Sequence, residues 1–143
     1  MLHFYNLEVN PRFIKRKELK KYLISIFKTE KKILKRVDII FCNDTYMLEL
    51  NRRFLNHDYY TDTLTFAHST NPKYATGEIY ISLQRIKENS KAFSTSCENE
   101  LIRVIVHGCL HLCGYNDKTE IQSCKMLQKQ EEYLNSWDVS RET

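Results

Sequence analysis

One short segment near the C-terminal end constrains this chain more than any other part of the sequence. A mostly apolar run, residues 101–106, leads into His-Gly-Cys-Leu-His-Leu-Cys-Gly at residues 107–114. This pattern predicts a buried helix from about Cys97 to Cys113, and the closing glycine favours the left-handed residue that ends many helices. His107 and His111 stand four residues apart, just over one turn, so both imidazoles leave the same face of the helix.

The turn after this helix carries a carboxylate. Asp117 lies three residues past Gly114, where the chain can turn back toward the histidines. Two nitrogens held on a helix and one oxygen from the next turn make a catalytic metal arrangement, with three protein ligands and a fourth position for water. We therefore predict His107, His111 and Asp117 as metal ligands and catalytic residues. The alternative is two half-buried histidines, each hydrogen-bonded to a backbone carbonyl.

Two cysteines flank the histidines and are also possible metal ligands. On an ideal helix, Cys109 and Cys113 point about 160–200° away from His107 and His111, at about 100° per residue. We interpret them as small core residues. The chain has five cysteines, and this odd number fits free thiols in a reducing compartment better than a disulfide framework.

The rest of the sequence alternates between strand and helix patterns. The predicted strands cover residues 2–7, 37–42, 63–67 and 78–82, with polar turn residues 68–76 between the last two. Four other helices are predicted: one opens at Pro11, one at an Asn43 or Asp44 cap, one at a Ser82 cap and runs through Ile86, and one at Thr119 with Gln122 and runs to about Asn135. The helix that carries the two histidines is predicted to begin with a Thr95–Glu98 capping box. We expect one α+β domain over residues 1–143, with a mixed sheet, about five helices and the metal-binding helix near the C-terminus.

Composition indicates a small globular protein that works in the cytoplasm. Of 143 residues, 42% are hydrophobic and 28% are charged, which suits a buried core and a hydrated surface. No apolar run reaches the length of about 18 residues that a membrane-spanning helix needs. The N-terminus lacks the basic start, apolar middle and cleavage site of a signal peptide.

Positive charge is concentrated in the first quarter of the chain. The formal net charge is only +4, but eleven of the first 36 residues are lysine or arginine. Such a run is often a solvated helix face. The functional interpretation is that some of these residues, Lys20 and Lys21 among them, bind RNA phosphates, which would supply affinity without sequence specificity.

Three sequence blocks, in the same order, resemble the YbeY family of bacterial endoribonucleases that mature ribosomal RNA. His107–Tyr115 is similar to the family signature His-Gly-x-Leu-His-Leu-x-Gly-Tyr-Asp-His, in which three histidines bind one metal ion. Thr61–Phe66 resembles the family's Thr-Asp-Val-Leu-Ser-Phe strand, and Gly77–Ser82 resembles its Gly-Asp-Ile strand. The resemblance implies a zinc-dependent, single-strand-specific endoribonuclease that acts at the 3′ end of 16S rRNA and in ribosome quality control. It also implies partners among rRNA, ribosomal precursor particles, and ribosomal or GTPase proteins.

The chain departs from the family pattern at two places. Asp117 stands where the family has its third histidine; its negative charge would weaken the metal as a Lewis acid and let harder ions such as Mn²⁺ compete with zinc. Leu55 stands where many members have an arginine that is assigned to RNA phosphates. Nearby Arg52, Arg53 or His57 could take over that contact.

Two other functions are consistent with parts of this pattern. A zinc protease of the His-Glu-x-x-His type has a glutamate general base directly after its first histidine, but that position is Gly108 here. The other alternative is an RNA-binding ribosome-assembly factor with little catalysis of its own. Both departures from the family pattern favour it, whereas a retained three-ligand site favours the nuclease.

Overall fold

The computed structural model describes residues 1–56 and 61–142, with side chains described as far as residue 137. Its elements, in chain order, are β1 (Leu2–Asn6), α1 (Arg16–Thr29), β2 (Ile33–Cys42), α2 (Asp44–Phe54), β3 (Thr63–Ala67), β4 (Tyr74–Ser82), α3 (Leu83–Ala92), α4 (Cys97–Leu112) and α5 (Glu120–Glu142). The strands form one sheet in the order β1-β2-β4-β3. The β1–β2 and β2–β4 pairs are parallel, and the β3–β4 pair is antiparallel. The predicted α+β fold, with one mixed sheet and five helices, is confirmed.

Alternation along the strands divides the helices between the two faces of the sheet. Val37, Ile39 and Phe41 of β2 are buried against the apolar side chains of α1, α4 and α5, in the larger core. Cys42 faces the other way, with Leu64, and packs against α2 in a smaller cluster. Successive side chains of a strand point to opposite faces, so α1 and α4 cover one face while α2 covers part of the other.

Several predicted element boundaries were wrong. β4 begins at Tyr74, inside the segment predicted as turn, because small Ala75 and Gly77 occupy the buried positions of its alternation. β2 begins at Ile33, four residues early, through pairing with β4. α1 begins at Arg16 and not at Pro11.

The predicted helix caps were partly confirmed. Asn43 caps α2, and the Ser82 side chain caps α3, which runs on past Ile86 to Ala92. Thr119 and Gln122 bond reciprocally at the start of α5, as predicted, although α5 continues through Glu142. The capping box at Thr95 was wrong, since the adjacent hydroxyl of Ser96 accepts the Asn99 N–H at 3.0 Å and caps α4.

Candidate metal centre

The last turn of α4 brings two imidazole nitrogens together. His107 Nε2 and His111 Nε2 lie 3.1 Å apart. Most of the helix around them is buried, from Leu101 to Leu112. Because the surrounding faces pack into the core, the two rings have little freedom to turn away from each other.

A glycine between the two histidines sets the distance of α4 from the sheet. A Cβ built on Gly108 would lie 2.9 Å from both Cδ1 and Cγ2 of Ile79, a buried residue of β4. Such a contact is closer than real Cβ atoms come, so a larger residue at position 108 would force either the Ile79 side chain or α4 to shift. This close packing places the histidines beside β3, the neighbour of β4 at the sheet edge.

The chain after α4 turns back and delivers the predicted carboxylate. Gly114 has a φ of +102°, in the left-handed region that glycine adopts without strain. Asp117 Oδ2 then lies 3.9 Å from His107 Nε2 and 3.6 Å from His111 Nε2. One ligand atom from each residue lies within 4.8 Å of the other two.

These three distances suit a tetrahedral divalent ion. Zinc binds nitrogen and oxygen at about 2.0–2.2 Å, so two ligand atoms of one tetrahedron are about 3.3 Å apart. The observed separations of 3.1, 3.6 and 3.9 Å bracket that value. The donor set of two imidazoles and a carboxylate is one that zinc accepts, and manganese also accepts the oxygen.

Each imidazole is oriented by a hydrogen bond at its other nitrogen. His107 Nδ1 donates to Gln130 Oε1 at 2.9 Å, and His111 Nδ1 donates to the Tyr115 carbonyl at 3.0 Å. These bonds place the proton on Nδ1 and leave the Nε2 lone pair for a metal, as outer partners commonly do for ligating histidines. Gln130 lies in α5 and is buried, and sequence reasoning missed it.

Electrostatics also favours neutral histidine at this site. Burial lowers the pKa of His111 below its ordinary value, and the neighbouring charge of His107 lowers it further. Asp117 and the Tyr115 carbonyl oppose this effect without reversing it. A neutral imidazole is the form that binds metal.

An open cavity of about 470 Å³ lies over the three residues. Besides His107, His111 and Asp117, its lining includes Asn116 and a stretch that leads into β3, namely Thr61, Asp62, Thr63, Leu64 and Thr65. This stretch is the second family-like block of the sequence. Burial raises the pKa of Asp62, and the charge of His107 partly offsets that effect. Asp62 Oδ2 accepts from Asn89 Nδ2 at 3.3 Å.

A smaller cavity of about 200 Å³ adjoins the first. Asp62 and His107 line both cavities, and the smaller one adds Glu100, Arg103 and Gln130. Arg103 forms an ion pair with Glu131 of α5. Its guanidinium charge is therefore already balanced beside the site.

The two cysteines of the motif are core residues, as predicted. Cys109 and Cys113 are both buried. Burial raises the pKa of Cys109 well above its ordinary value and raises the pKa of Cys113 to about 12. Both therefore remain thiols at neutral pH, and a thiol is a poor metal ligand compared with a thiolate.

The predicted RNA contacts are spread over the molecule. Lys20 and Lys21 are exposed on α1, and Arg52 and Arg53 are exposed in the last turn of α2, on the other face of the sheet. They do not line the cavity over the histidines, and His57 lies outside the described residues. Leu55, which replaces the family arginine, is exposed.

Fold and site together define a class of protein: a small α+β domain with two histidines and an aspartate, a group that could hold a metal ion, where a helix ends beside the edge of a mixed sheet. The family model described as endoribonuclease YbeY matches residues 6–138. The chain belongs to the YbeY family.

Relatives support this assignment over nearly the whole chain. The endoribonuclease YbeY of Cytophaga hutchinsonii is 38% identical over 134 residues, which cover 94% of each protein. That of Bacteroides fragilis is 44% identical over 105 residues, covering 73% of this chain and 75% of the relative. A Thermotoga maritima protein of known solution structure is 30% identical, with a TM-score of 0.73 over 99% of this chain and 93% of the other.

No helix in the described part of the chain combines the length and apolar character needed to cross a bilayer.

Proposed function

We propose that this protein is a metal-dependent endoribonuclease that cleaves single-stranded RNA during the maturation of ribosomal RNA, including the 3′ end of 16S rRNA. The observation that carries the proposal is the convergence of His107, His111 and Asp117 at one point of an open cavity. Membership of a family whose relatives are endoribonucleases supports the reaction class. RNA is then the substrate, and rRNA or ribosomal precursor particles are the proposed partners, with ribosomal or GTPase proteins as further ones.

The proposed cofactor is one zinc ion, held by His107 Nε2, His111 Nε2 and an oxygen of Asp117. When bound, a divalent ion supplies Lewis acidity toward a phosphoryl oxygen and lowers the pKa of water. The anionic oxygen of Asp117 would make the ion a weaker acid than three neutral histidines would, so manganese competes better here than at a three-histidine site.

The chain's own residues supply orientation and proton transfer. The hydrogen bonds from the imidazoles to Gln130 and Tyr115 fix both rings before substrate arrives. Asp62 lines the same cavity, and its carboxylate would accept the proton of a hydroxyl that attacks phosphorus, while the bond from phosphorus to the leaving oxygen breaks. Thr65 also lines the cavity, and its hydroxyl is a proposed donor to phosphate oxygens. An RNA strand bound there would meet fixed donors and acceptors, which lowers the cost of orientation.

The geometry disfavours peptide hydrolysis. Position 108 would have to carry the glutamate general base of a His-Glu-x-x-His protease, but it is a glycine packed against Ile79. A glutamate there would force either Ile79 or α4 to shift. We therefore do not propose a protease.

An assembly factor with little catalysis is the second candidate. The exposed Leu55 favours it, because an aliphatic side chain cannot bind a phosphate as the family arginine does.

Under either function the protein acts on ribosomal precursors, which predicts a cytoplasmic location. We also infer that residues 1–143 act as one domain, since α1, α4 and α5 share one core with the sheet.

One experiment tests the nuclease proposal against this alternative. Protein purified without a chelating column is analysed for metal, then assayed for binding and cleavage of a single-stranded RNA, alongside His107→Ala. The nuclease proposal expects bound metal in the parent, and loss of metal and cleavage in His107→Ala with RNA binding kept. If folded, metal-free His107→Ala supports ribosome maturation in cells as well as the parent does, the assembly-factor function replaces it.

A further inference from the structure

Glu30 lies at the end of α1, 85 residues before Tyr115 in sequence, yet its carboxylate reaches the turn after α4. The Tyr115 hydroxyl donates to Glu30 Oε1 at 2.8 Å. The other oxygen, Oε2, accepts from the Tyr133 hydroxyl of α5 and lies 3.9 Å from Lys129 Nζ. The Glu30 side chain is only 11% exposed, so its carboxylate depends on these partners in place of water.

Tyr115 is bonded through three of its groups at once. Besides the bond from its hydroxyl to Glu30, its carbonyl accepts from His111 Nδ1 at 3.0 Å and its N–H donates to the Leu110 carbonyl at 3.0 Å. The ring packs against the larger core.

The turn that Tyr115 holds is the one that delivers Asp117. On its N-terminal side stands Gly114, whose φ of +102° and open surroundings give the backbone freedom. On its C-terminal side, the Asp117 side chain is about half exposed. Because Gly114 leaves the backbone free to rotate and Asp117 is half exposed, the contacts of Tyr115 are what hold this turn in place.

We propose that Glu30 is a positioning residue for the metal centre, and that it acts through Tyr115 to hold both Asp117 and the His111 ring in the ligating arrangement. The inference rests on the proposed function, since it presumes that His107, His111 and Asp117 bind a divalent ion. Partners outside the ligand shell commonly change metal affinity by about 10–100-fold. Glu30 would be an indirect partner of this kind, because it bonds to Tyr115 and Tyr115 bonds to His111.

The test measures metal binding rather than cleavage. Zinc affinity and release are followed by competition with a chromophoric chelator for the full-length parent, Tyr115→Phe, Glu30→Ala and Glu30→Gln. We expect Tyr115→Phe and Glu30→Ala each to weaken zinc binding by about 10–100-fold and to speed its release. Glu30→Gln keeps an oxygen that accepts from Tyr115, so it should restore most of the affinity. The double variant Glu30→Ala/Tyr115→Phe should bind no more weakly than the worse single variant, because both changes break one connection.

Tyr133→Phe is the matched control. It removes the hydroxyl that donates to the other oxygen of Glu30, costs the same kind of hydrogen bond, and leaves Tyr115 in place. We expect zinc affinity within about twofold of the parent. Parent-like binding by Tyr115→Phe, or an equal loss in Tyr133→Phe, would overturn the inference while leaving the proposed function intact. Failure of the parent itself to bind a divalent ion would overturn both.

Discussion

His107 Nδ1 and Gln130 Oε1 lie 2.9 Å apart and join α4 to α5 at the candidate metal centre. Gln130 is buried, and its Oε1 can only accept a hydrogen bond, so His107 Nδ1 is the donor. The hydrogen bond therefore selects the histidine tautomer whose Nε2 is free to ligate.

The first prediction is that Gln130→Leu weakens metal binding by about 10–100-fold. Leucine has a similar size but accepts no hydrogen bond, so the His107 ring loses its fixed tautomer. Isothermal titration of the metal-free protein with zinc measures the change. Gln130→Glu keeps an acceptor at the same place and should bind at least as tightly as the parent. Unchanged affinity in Gln130→Leu would show that packing alone orients the ring.

The second prediction is that Asp117 is the third ligand. Asp117→Ala should lose most of its metal, whereas Asp117→His, which recreates the family's third histidine, should keep zinc and discriminate more strongly against manganese. Elemental analysis after dialysis against both metals measures both effects. Asn116→Ala is the control, because Asn116 lines the same cavity but is not a member of the ligand group. A metal-bound structure should place an Asp117 oxygen about 2.0–2.2 Å from zinc, and a solvent-facing carboxylate there would contradict the prediction.

The third prediction concerns the basic surface of α1. Reversing the charges of Lys20 and Lys21 to glutamate should weaken binding to single-stranded RNA and lower the salt slope by about 0.7 per lost phosphate contact. Metal content and thermal stability should not change, because both side chains are exposed on α1.

The equivalent reversal of Arg52 and Arg53 tests the other face of the sheet. If a bound RNA strand contacts both α1 and α2, both double variants should lose affinity in binding titrations at several salt concentrations. A loss confined to Arg52 and Arg53 would remove α1 from the proposed RNA path.

The fourth prediction concerns pH. Because burial, followed by the charge of His107, lowers the pKa of His111 in the folded protein, the unfolded chain binds the proton more readily. The stability that depends on neutral His111 is therefore fully present above its unfolded pKa of about 6.5 and is lost as the pH falls through the lower folded value. Urea unfolding of chelator-treated protein between pH 7.5 and pH 5 measures this slope. His111→Gln should flatten it, and an equal slope in that variant would assign the effect to another group.

The fifth prediction concerns the packing of α4 on the sheet. Gly108→Ala should destabilise the protein by about 1–3 kcal/mol, as overpacking of a core does, because the added methyl would meet Ile79 at 2.9 Å. Chemical unfolding measures the change. Gly108→Ala combined with Ile79→Val should recover part of the loss, since Ile79 Cδ1 is removed and the two effects are coupled. If the changes in unfolding free energy of the two single variants add exactly in the double variant, the clash is not the cause.

The sequence predicts those parts of the site that local spacing encodes. His107 and His111 on one helix face, the glycine stop at position 114 and the approach of Asp117 all lie within eleven consecutive residues, where the geometry of one helix and the turn after it relates them. The Asn43 cap and the Thr119–Gln122 box are equally local, and both were confirmed.

The parts that sequence could not predict depend on long-range packing. Gln130 and Glu30 contact the motif from 23 and 85 residues away, and no spacing rule connects such positions. Thr95 and Ser96 are adjacent hydroxyl residues, and only the backbone path decides which one caps α4. The start of β4 was missed because its buried positions are Ala75 and Gly77. These residues are too small to give a clear hydrophobic alternation in the sequence.

The contact between position 108 and Ile79 also changes how the motif should be understood among related proteins. A glycine between two histidines proposed as metal ligands suggests selection by the reaction, yet here Gly108 faces the sheet, where its nearest neighbour is Ile79. If relatives share this glycine, we expect the reason to be the short distance between α4 and β4 and not the chemistry of the site. Variation at position 108 should then follow variation at position 79, independently of any change in substrate or metal.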